Sequence, residues 1–367
     1  MGVWVRKRLG LLLLGILWAV FITEVALRVM MSQAMLPQKL PADVFSSHPI
    51  GWALEPNLDT TIFGMTGFIE FQTNAQGWRD SDYPLERNSK ARLIVLGDSF
   101  TLALETPQEQ TFHHQLEALY DDQVEVISLG VSGYELAQYL LSYQEVGRSY
   151  QPDRVLVMLY VGNDLVGNLR WPDLPYYDFD TQGALQRYQF PYDGPFNLPL
   201  VTSQRSTWLM RQSKLAFVIG SLLRQPPRPD QASQVGYCEY WAHNNFPNVS
   251  PEQWRLAEAL LAELQRAIQA DGASLWVAII PTELQTQAVE RAAFEQECQR
   301  TFLPVDALQH DLLARLEAMN IPSLDLLPAL TADPVGPLLY IAGDDIHWTP
   351  EGHTKVAQAL YDWLPTP

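Results

Sequence analysis

The chain has 367 residues, enough for one large domain or two small ones, and its 47% hydrophobic and 18% charged residues suit a globular body with a full core. A formal net charge of -18 argues against nucleic acid, whose phosphates need clustered Lys and Arg, and against docking of the globular part on an anionic lipid surface.

The first element differs from that body. Arg6, Lys7 and Arg8 precede an uncharged run from Leu9 to Thr23, and the apolar character continues past Glu24 and Arg28 to Met31. A basic flank before an apolar run has the shape of an export signal, with the basic end staying in the cytoplasm. Leu9–Met31 is long enough to span a bilayer, which takes about 20 residues. Glu24 and Arg28 are spaced to pair on one helix face. Ser32-Gln33-Ala34 makes a poor cleavage site, so an uncleaved signal anchor is preferred to a cleaved signal peptide. Residues 1–35 are thus read as a transmembrane anchor, with the remaining chain outside the cytoplasm, in a periplasmic or extracellular space. No second apolar run of spanning length occurs in the sequence. Cys238 and Cys298 are the only cysteines; in an oxidising compartment they either form one bridge or stay as two buried thiols.

Residues 36–90 form an extended lead-in, rich in Pro and turn residues, carrying Trp52, Phe68, Phe71 and Trp78. Packing of these aromatics on the main domain is preferred to a carbohydrate-binding platform. From Arg92 strands and helices alternate: strand Leu93–Leu96, helix Thr111–Tyr120, strand Val124–Leu129, helix Tyr134–Ser149, strand Arg154–Tyr160. Helix Pro251–Ala270 follows, with Ser250 as N-cap and Pro251 in its first turn. Strand Ser274–Ile280, helix Asp306–Met319, a short strand near Ser323–Leu324 and a last helix from Thr349-Pro350 to about Trp363 complete the pattern. This α/β alternation implies a parallel sheet covered on both faces, with ligands at the carboxyl ends of its strands. An insertion at about 168–240 is loop-rich and aromatic, with one amphipathic stretch, "STWLMRQSKLAFVIGSLLR". It serves either as a lid over the cleft or as an excursion packed on the side; its place after a strand's carboxyl end favours the lid.

Four short blocks fall where ligands should bind. "LGDSF" with Ser99 closes the first strand, "LGVSGY" with Gly130 and Gly133 the second, "YVGND" with Asn163 and Asp164 the third, and "GDDIHWTPEGH" with His347 precedes the last helix. Gly-Asp-Ser alone is weak, because Asp-Ser after a strand also serves plain helix capping. The ordered set fits acyl transfer. Ser99 on a tight turn is a candidate nucleophile, His347 its general base, and an Asp behind the imidazole would orient it. The backbone N–H groups of Ser99 and Gly133 and the Asn163 amide are candidate oxyanion donors. His113, His114 and His353 read as surface, packing or structural residues, and His48, His243 and His310 have no partner pattern. The residues imply no metal and no cofactor.

The set Gly97-Asp98-Ser99, Gly133, Gly162-Asn163-Asp164 and the Asp-x-His before "WTPEGH" resembles the SGNH (GDSL-type) hydrolases. With "GWALEPN" and "GWRDSDYP" ahead of it, the chain looks like the membrane-anchored bacterial branch of that family. The resemblance implies a three-layer α/β/α flavodoxin-like sheet over residues 91–367, an acyl-enzyme mechanism, and the roles just named for Ser99, Gly133, Asn163 and His347. For the third triad member it implies Asp345, two before the histidine, as in members with an aromatic after the His; Asp344, three before it, is the alternative. The implied activity is an extracytoplasmic serine esterase acting on an acyl, plausibly acetyl, ester of a cell-envelope glycan or lipid. Transfer of the acyl group to a polysaccharide is the alternative from the same site. A non-catalytic glycan-binding or assembly protein is a further alternative, against which the complete residue set counts. The sequence leaves the acyl group, the acceptor and the oligomeric state open.

Overall fold

The computed structural model describes residues 3–30, 44–48, 50–64, 67–121, 123–166, 175–189, 213, 215–216, 218–219, 234–302, 304–331, 338–341 and 347–365. The chain divides into two compact units.

The first unit contains helix α1 (Val3–Met30), most of a two-stranded pair, and residues around 213–219. Within α1, Lys7–Val29 spans 23 residues at a mean hydropathy of 2.3 with none of its most apolar window buried, so it is long and apolar enough to cross a membrane. Glu24 and Arg28 pair at 2.6 Å across one turn, as their spacing predicts. Glu24 Oε2 also accepts from Ser213 Oγ and from the N–H of Leu215, both at 2.9 Å, at the start of a helical stretch containing Leu215, Ala216, Val218 and Ile219.

The second unit carries the sheet. Short strands β1 (Phe45–His48) and β2 (Gly51–Leu54) pair antiparallel. Strands β3 (Asp59–Gly64) and β4 (Gly67–Gln72) make the pair that falls largely in the first unit. Then follow β5 (Ala91–Gly97), α2 (Ser99–Leu102), α3 (Phe112–Leu119), β6 (Val124–Gly130), α4 (Leu136–Glu145) and β7 (Arg154–Tyr160). The insertion supplies a hairpin, β8 (Pro175–Phe179) and β9 (Leu185–Gln189), and ends in α5 (Gln234–Asn245). The remainder is α6 (Pro251–Ala270), β10 (Ser274–Ile280), α7 (Glu283–Thr286), α8 (Ala288–Cys298), α9 (Ala307–Ala318), β11 (Ser323–Asp325), α10 (Leu327–Thr331) and α11 (Pro350–Trp363).

Five of these strands form one parallel sheet in the order β6-β5-β7-β10-β11, which is the flavodoxin-like 2-1-3-4-5 order. All seven residues of β6 and the last six of β5 and β7 are buried, as a sheet covered on both faces requires. One face packs Phe112 and Leu116 of α3, Leu330 of α10 and Val356 and Leu360 of α11 against Val95, Val126 and Met158. On the other, α4 lies on α6, α6 lies on β10, and Glu258 of α6 pairs with Arg315 of α9. Strand β5 has β6 on one side and β7 on the other, so the switch point of the strand order, where folds of this class bind ligands, lies between the carboxyl ends of β5 and β7.

The elements agree with the sequence pattern most closely where caps are strong. Ser250 accepts from Gln253 N–H while the Gln253 side chain accepts from Ser250 N–H, a full capping box at the start of α6. The helix expected over Tyr134–Ser149 is shorter: Glu135 is extended, α4 ends at Glu145, and a 3-10 turn at Gly147–Tyr150 follows. Helix α8 was not expected; Phe294 is its one buried residue, so it carries almost no apolar periodicity. Cys238 of α5 and Cys298 of α8 are bridged, with a Cα–Cα distance of 5.6 Å.

The two outlying segments pack differently. In the lead-in, Trp52 and Trp78 are buried within the second unit and Phe71 within the first; the side chain of Phe68 lies outside the described residues. In the insertion, the hairpin rests on α4 and α6. Gln138 Nε2 donates to Pro175 O at 3.1 Å, Arg187 pairs with Glu145 at 3.2 Å, and Arg255 lies over the Phe179 ring at 3.9 Å. These contacts set the hairpin against α4 and α6. Residues 190–212 lie outside the described residues.

Candidate active site

The nucleophile candidate sits at the head of a very short helix. Asp98 caps α2, its Oδ1 accepting from Phe100 N–H at 2.9 Å, and the helix closes at Ala103 in the left-handed region (φ 51°). Gly130 at the end of β6 lets α2 lie directly on the neighbouring strand: a Cβ there would come within 2.6 Å of Leu102 N. Buried Arg79 closes the other end, with Nη1 on Leu102 O at 3.0 Å and on Ala103 O, and Nη2 on Thr106 O at 2.7 Å. Burial pulls this guanidinium down to about 10, with the charges of Glu105 and Glu109 opposing.

His347 reaches the same place from the far end of the chain. Its Nε2 lies 2.6 Å from Ser99 Oγ. Its backbone is held by an antiparallel bridge between Tyr340 and Trp348, by Ile341 N–H on His347 O at 2.8 Å and by Thr349 N–H on Leu339 O at 3.1 Å. Trp348, 1% exposed, packs on Phe100, whose ring is 5.1 Å from the imidazole. Asp344 and Asp345 lie outside the described residues.

Gly133 occupies a turn closed by Tyr134 N–H on Val131 O at 3.1 Å, with φ 76° at its third position. That is the place in a type II turn that calls for glycine. Asn163 lies in the turn after β7, where Asp164 is buried: its Oδ2 accepts from Tyr160 N–H at 2.8 Å and its carboxylate from Tyr139 OH at 3.0 Å. Asn163 Oδ1 and Asp98 Oδ2 are both buried with no hydrogen-bond partner among the described residues. Burial pushes the Asp98 carboxyl up to about 6, while the Phe100 N–H, the charge of His347 and the Asn163 amide act to lower it. Asp164 is raised well above the carboxylate range by burial and by the Asp98 charge.

The other histidines have local roles. His353 is buried and stacked on Phe112, and its Nδ1 accepts from Phe112 N–H at 3.2 Å. His113 is buried too, and burial holds it well below 6.5; burial also takes His114 to about 4. His114 Nε2 is 3.3 Å from Asp80 Oδ1. Asp80, His113 and His114 offer ligand-type atoms within 4.8 Å of one another. Asp80 already accepts from Ser128 N–H at 2.6 Å and from Ser81 N–H at 2.8 Å, and the Arg79 charge acts on both imidazoles, so the cluster fits a structural support. The sequence reading gives Arg79 and Asp80 no role, and Asp98 only its place in the Gly97-Asp98-Ser99 motif. The signal available was a charged pair inside an aromatic stretch, "GWRD", since a buried arginine must find carbonyls.

Residues 242–366 match the family described as SGNH hydrolase-like domain, acetyltransferase AlgX. Its description names the SGNH type that the four motif blocks resemble. The matched span holds β10, β11, His347 and α11, while Ser99, Gly133 and Asn163 precede it. Among solved structures, the chain is similar to the acetyl xylan esterase AlAXEase, with 12% identity over 75% of this chain and 100% of that one and a TM-score of 0.42. It is also similar to a GDSL-like lipase from Bacteroides thetaiotaomicron, with 12% identity over 76% and 90% and a TM-score of 0.38. The esterase EstA from Pseudoalteromonas sp. gives 13% identity over 75% and 96% and a TM-score of 0.36. No curated protein matches the chain.

Proposed function

We propose that the protein is a serine acyl-ester enzyme, anchored to a membrane by α1 with its catalytic unit on the extracytoplasmic side. The observation that carries the chemistry is the 2.6 Å contact between Ser99 Oγ and His347 Nε2 beside the sheet's switch point. Ser99 Oγ attacks the ester carbonyl carbon while His347 takes its proton. The N–H groups of Ser99 and Gly133 and the Asn163 amide meet the oxyanion. Collapse expels the alcohol, which leaves with the proton from His347, and an acyl-Ser99 ester remains. Water then gives a proton to His347 and attacks that ester, releasing the acid and restoring Ser99. Asp345, or Asp344 in its place, orients the imidazole and stabilises its cationic form. The substrate class is an acyl ester, such as an acetyl ester, of a cell-envelope glycan or lipid.

A second reading is favoured by the match to an acetyltransferase family: a polysaccharide hydroxyl replaces water in the second step. The full chain in detergent, assayed with p-nitrophenyl acetate with and without a glycan acceptor, separates the two. Free acetate without acceptor supports hydrolysis; acetylated glycan formed at the expense of acetate supports transfer. Either way Ser99→Ala should lower the rate at least about ten-thousandfold and abolish labelling by a fluorophosphonate. Unlabelled wild type with Ser99→Ala fully functional would leave a non-catalytic glycan-binding or assembly role.

A further inference from the structure

We infer that Trp52 of the lead-in is a positioning residue that aims the Gly133 oxyanion donor, an inference that rests on the acyl-transfer reading above. The peptide unit between Ser132 and Gly133 is one rigid plane, with the Ser132 C=O and the Gly133 N–H pointing in opposite directions. Trp52 Nε1–H donates to that C=O at 2.8 Å. The turn Val131–Tyr134 has this peptide at its centre. Types I and II differ by a flip of the central peptide, and only type II places the third residue at positive φ, as Gly133 is at 76°. A hydrogen bond to Ser132 O therefore selects the flip, and with it the side of the turn on which Gly133 N–H is presented.

Trp52 grips the turn a second time. Its own backbone carbonyl accepts from Tyr134 OH, and the two rings meet edge to face at 5.7 Å. Both residues are buried, Trp52 at 5% and Tyr134 at 0% exposure, so neither bond exchanges with bulk water. The turn's central and last residues are thus tied to one residue of β2. Donation to Ser132 O also polarises the shared peptide, which strengthens its N–H as a donor. Motif comparison of the catalytic blocks alone does not reach this residue, because it lies 80 positions before the bond it makes.

Trp52→Phe keeps an aromatic ring and deletes the N–H; Tyr134→Phe deletes only the hydroxyl. With p-nitrophenyl acetate, Trp52→Phe should lower kcat about tenfold, a fraction of the hundred- to thousandfold typical of losing an oxyanion donor outright, with KM unchanged within about twofold. Tyr134→Phe should lower kcat about threefold in the same way. Because both routes act through one peptide, Trp52→Phe combined with Gly133→Ala should be no slower than Gly133→Ala alone. Wild-type kcat in Trp52→Phe, or a penalty that multiplies with that of Gly133→Ala, overturns the inference. If Trp52→Phe does not fold, Tyr134→Phe decides: kcat equal to wild type overturns it, and a fall at constant KM supports it. Ser99→Ala in the same assay separates the two levels. If it keeps the wild-type rate, the acyl-transfer reading fails and takes the role of Trp52 with it. If it is inactive while Trp52→Phe is not slowed, only the positioning role fails.

Discussion

The lead-in and the insertion look alike in sequence and behave differently in the fold. Both are rich in aromatics, prolines and turn residues, and both lie outside the central sheet. The lead-in sends Trp52 to the Gly133 turn, Arg79 to the carbonyls behind α2 and Asp80 to the Ser128 N–H in β6. The described hairpin of the insertion instead rests on α4 and α6, through Arg187 with Glu145 and Arg255 over Phe179, and Tyr176 stacks on Tyr188 within it. The difference is in what is touched. Lead-in side chains bond to backbone atoms of the turns that carry the candidate site, so they fix orientation; hairpin side chains meet other side chains at the surface, so they add area and little direction. The insertion's firm connection to the core is covalent, at its exit, where α5 is bridged to α8.

The comparison can be broken from its strongest side first. Cys238→Ser opens a bridge across a separation of 60 residues, which chain-entropy reasoning values at about 4 kcal/mol. The variant should melt well below wild type while each folded molecule keeps its activity. Activity lost at temperatures where circular dichroism shows a folded protein would give the insertion a part in the site. Arg79→Met comes next, because it strands the carbonyls of Leu102, Ala103 and Thr106. A loss of about 3 kcal/mol in urea unfolding is expected, with kcat down at least tenfold since α2 carries Ser99. Intact kcat would reduce the lead-in to mere covering.

A third test concerns the cost of the turn itself. Burial raises Asp98 from the ordinary 3.8 to about 6. As pH rises past about 4 the unfolded chain ionises first, so stability from protonated Asp98 is complete below that pH and is lost by the time pH has passed about 6. Asp98→Asn should therefore melt higher than wild type above pH 6 and show no such gain near pH 4, measured by scanning calorimetry. An equal shift at both pH values would mean that the carboxyl's charge is not what matters. The smallest effect belongs to the flank. Arg187 and Glu145 are 37% and 48% exposed, so Arg187→Ala should cost under about 1 kcal/mol and leave p-nitrophenyl acetate turnover unchanged. A tenfold slower variant would bring the hairpin into the site.

Much of the fold is legible in the sequence because strong local signals agree with it. Arg154–Tyr160, Ser274–Ile280 and Pro251–Ala270 run between the residues their patterns predict, since continuous apolar runs and a capping box leave little choice. Helix α8 is not legible, because a helix with one buried residue has no apolar stripe to read. The pairing of Ser99 with His347 is readable only as an order of motifs. Their separation of 248 positions carries no information about a 2.6 Å distance until the sheet brings their loops to one edge.

By itself the sequence determined the α/β alternation, the apolar N-terminal helix and the residue types that acyl chemistry requires, because each of these is set by short-range pattern and side-chain chemistry. Only the tertiary structure decided which groups the aromatic segments touch. It decided that Trp52 addresses the Ser132 carbonyl, that Arg79 closes the end of α2, and that Cys238 meets Cys298. The physical reason is that hydrogen bonds and bridges depend on distance and direction in space, and composition holds neither.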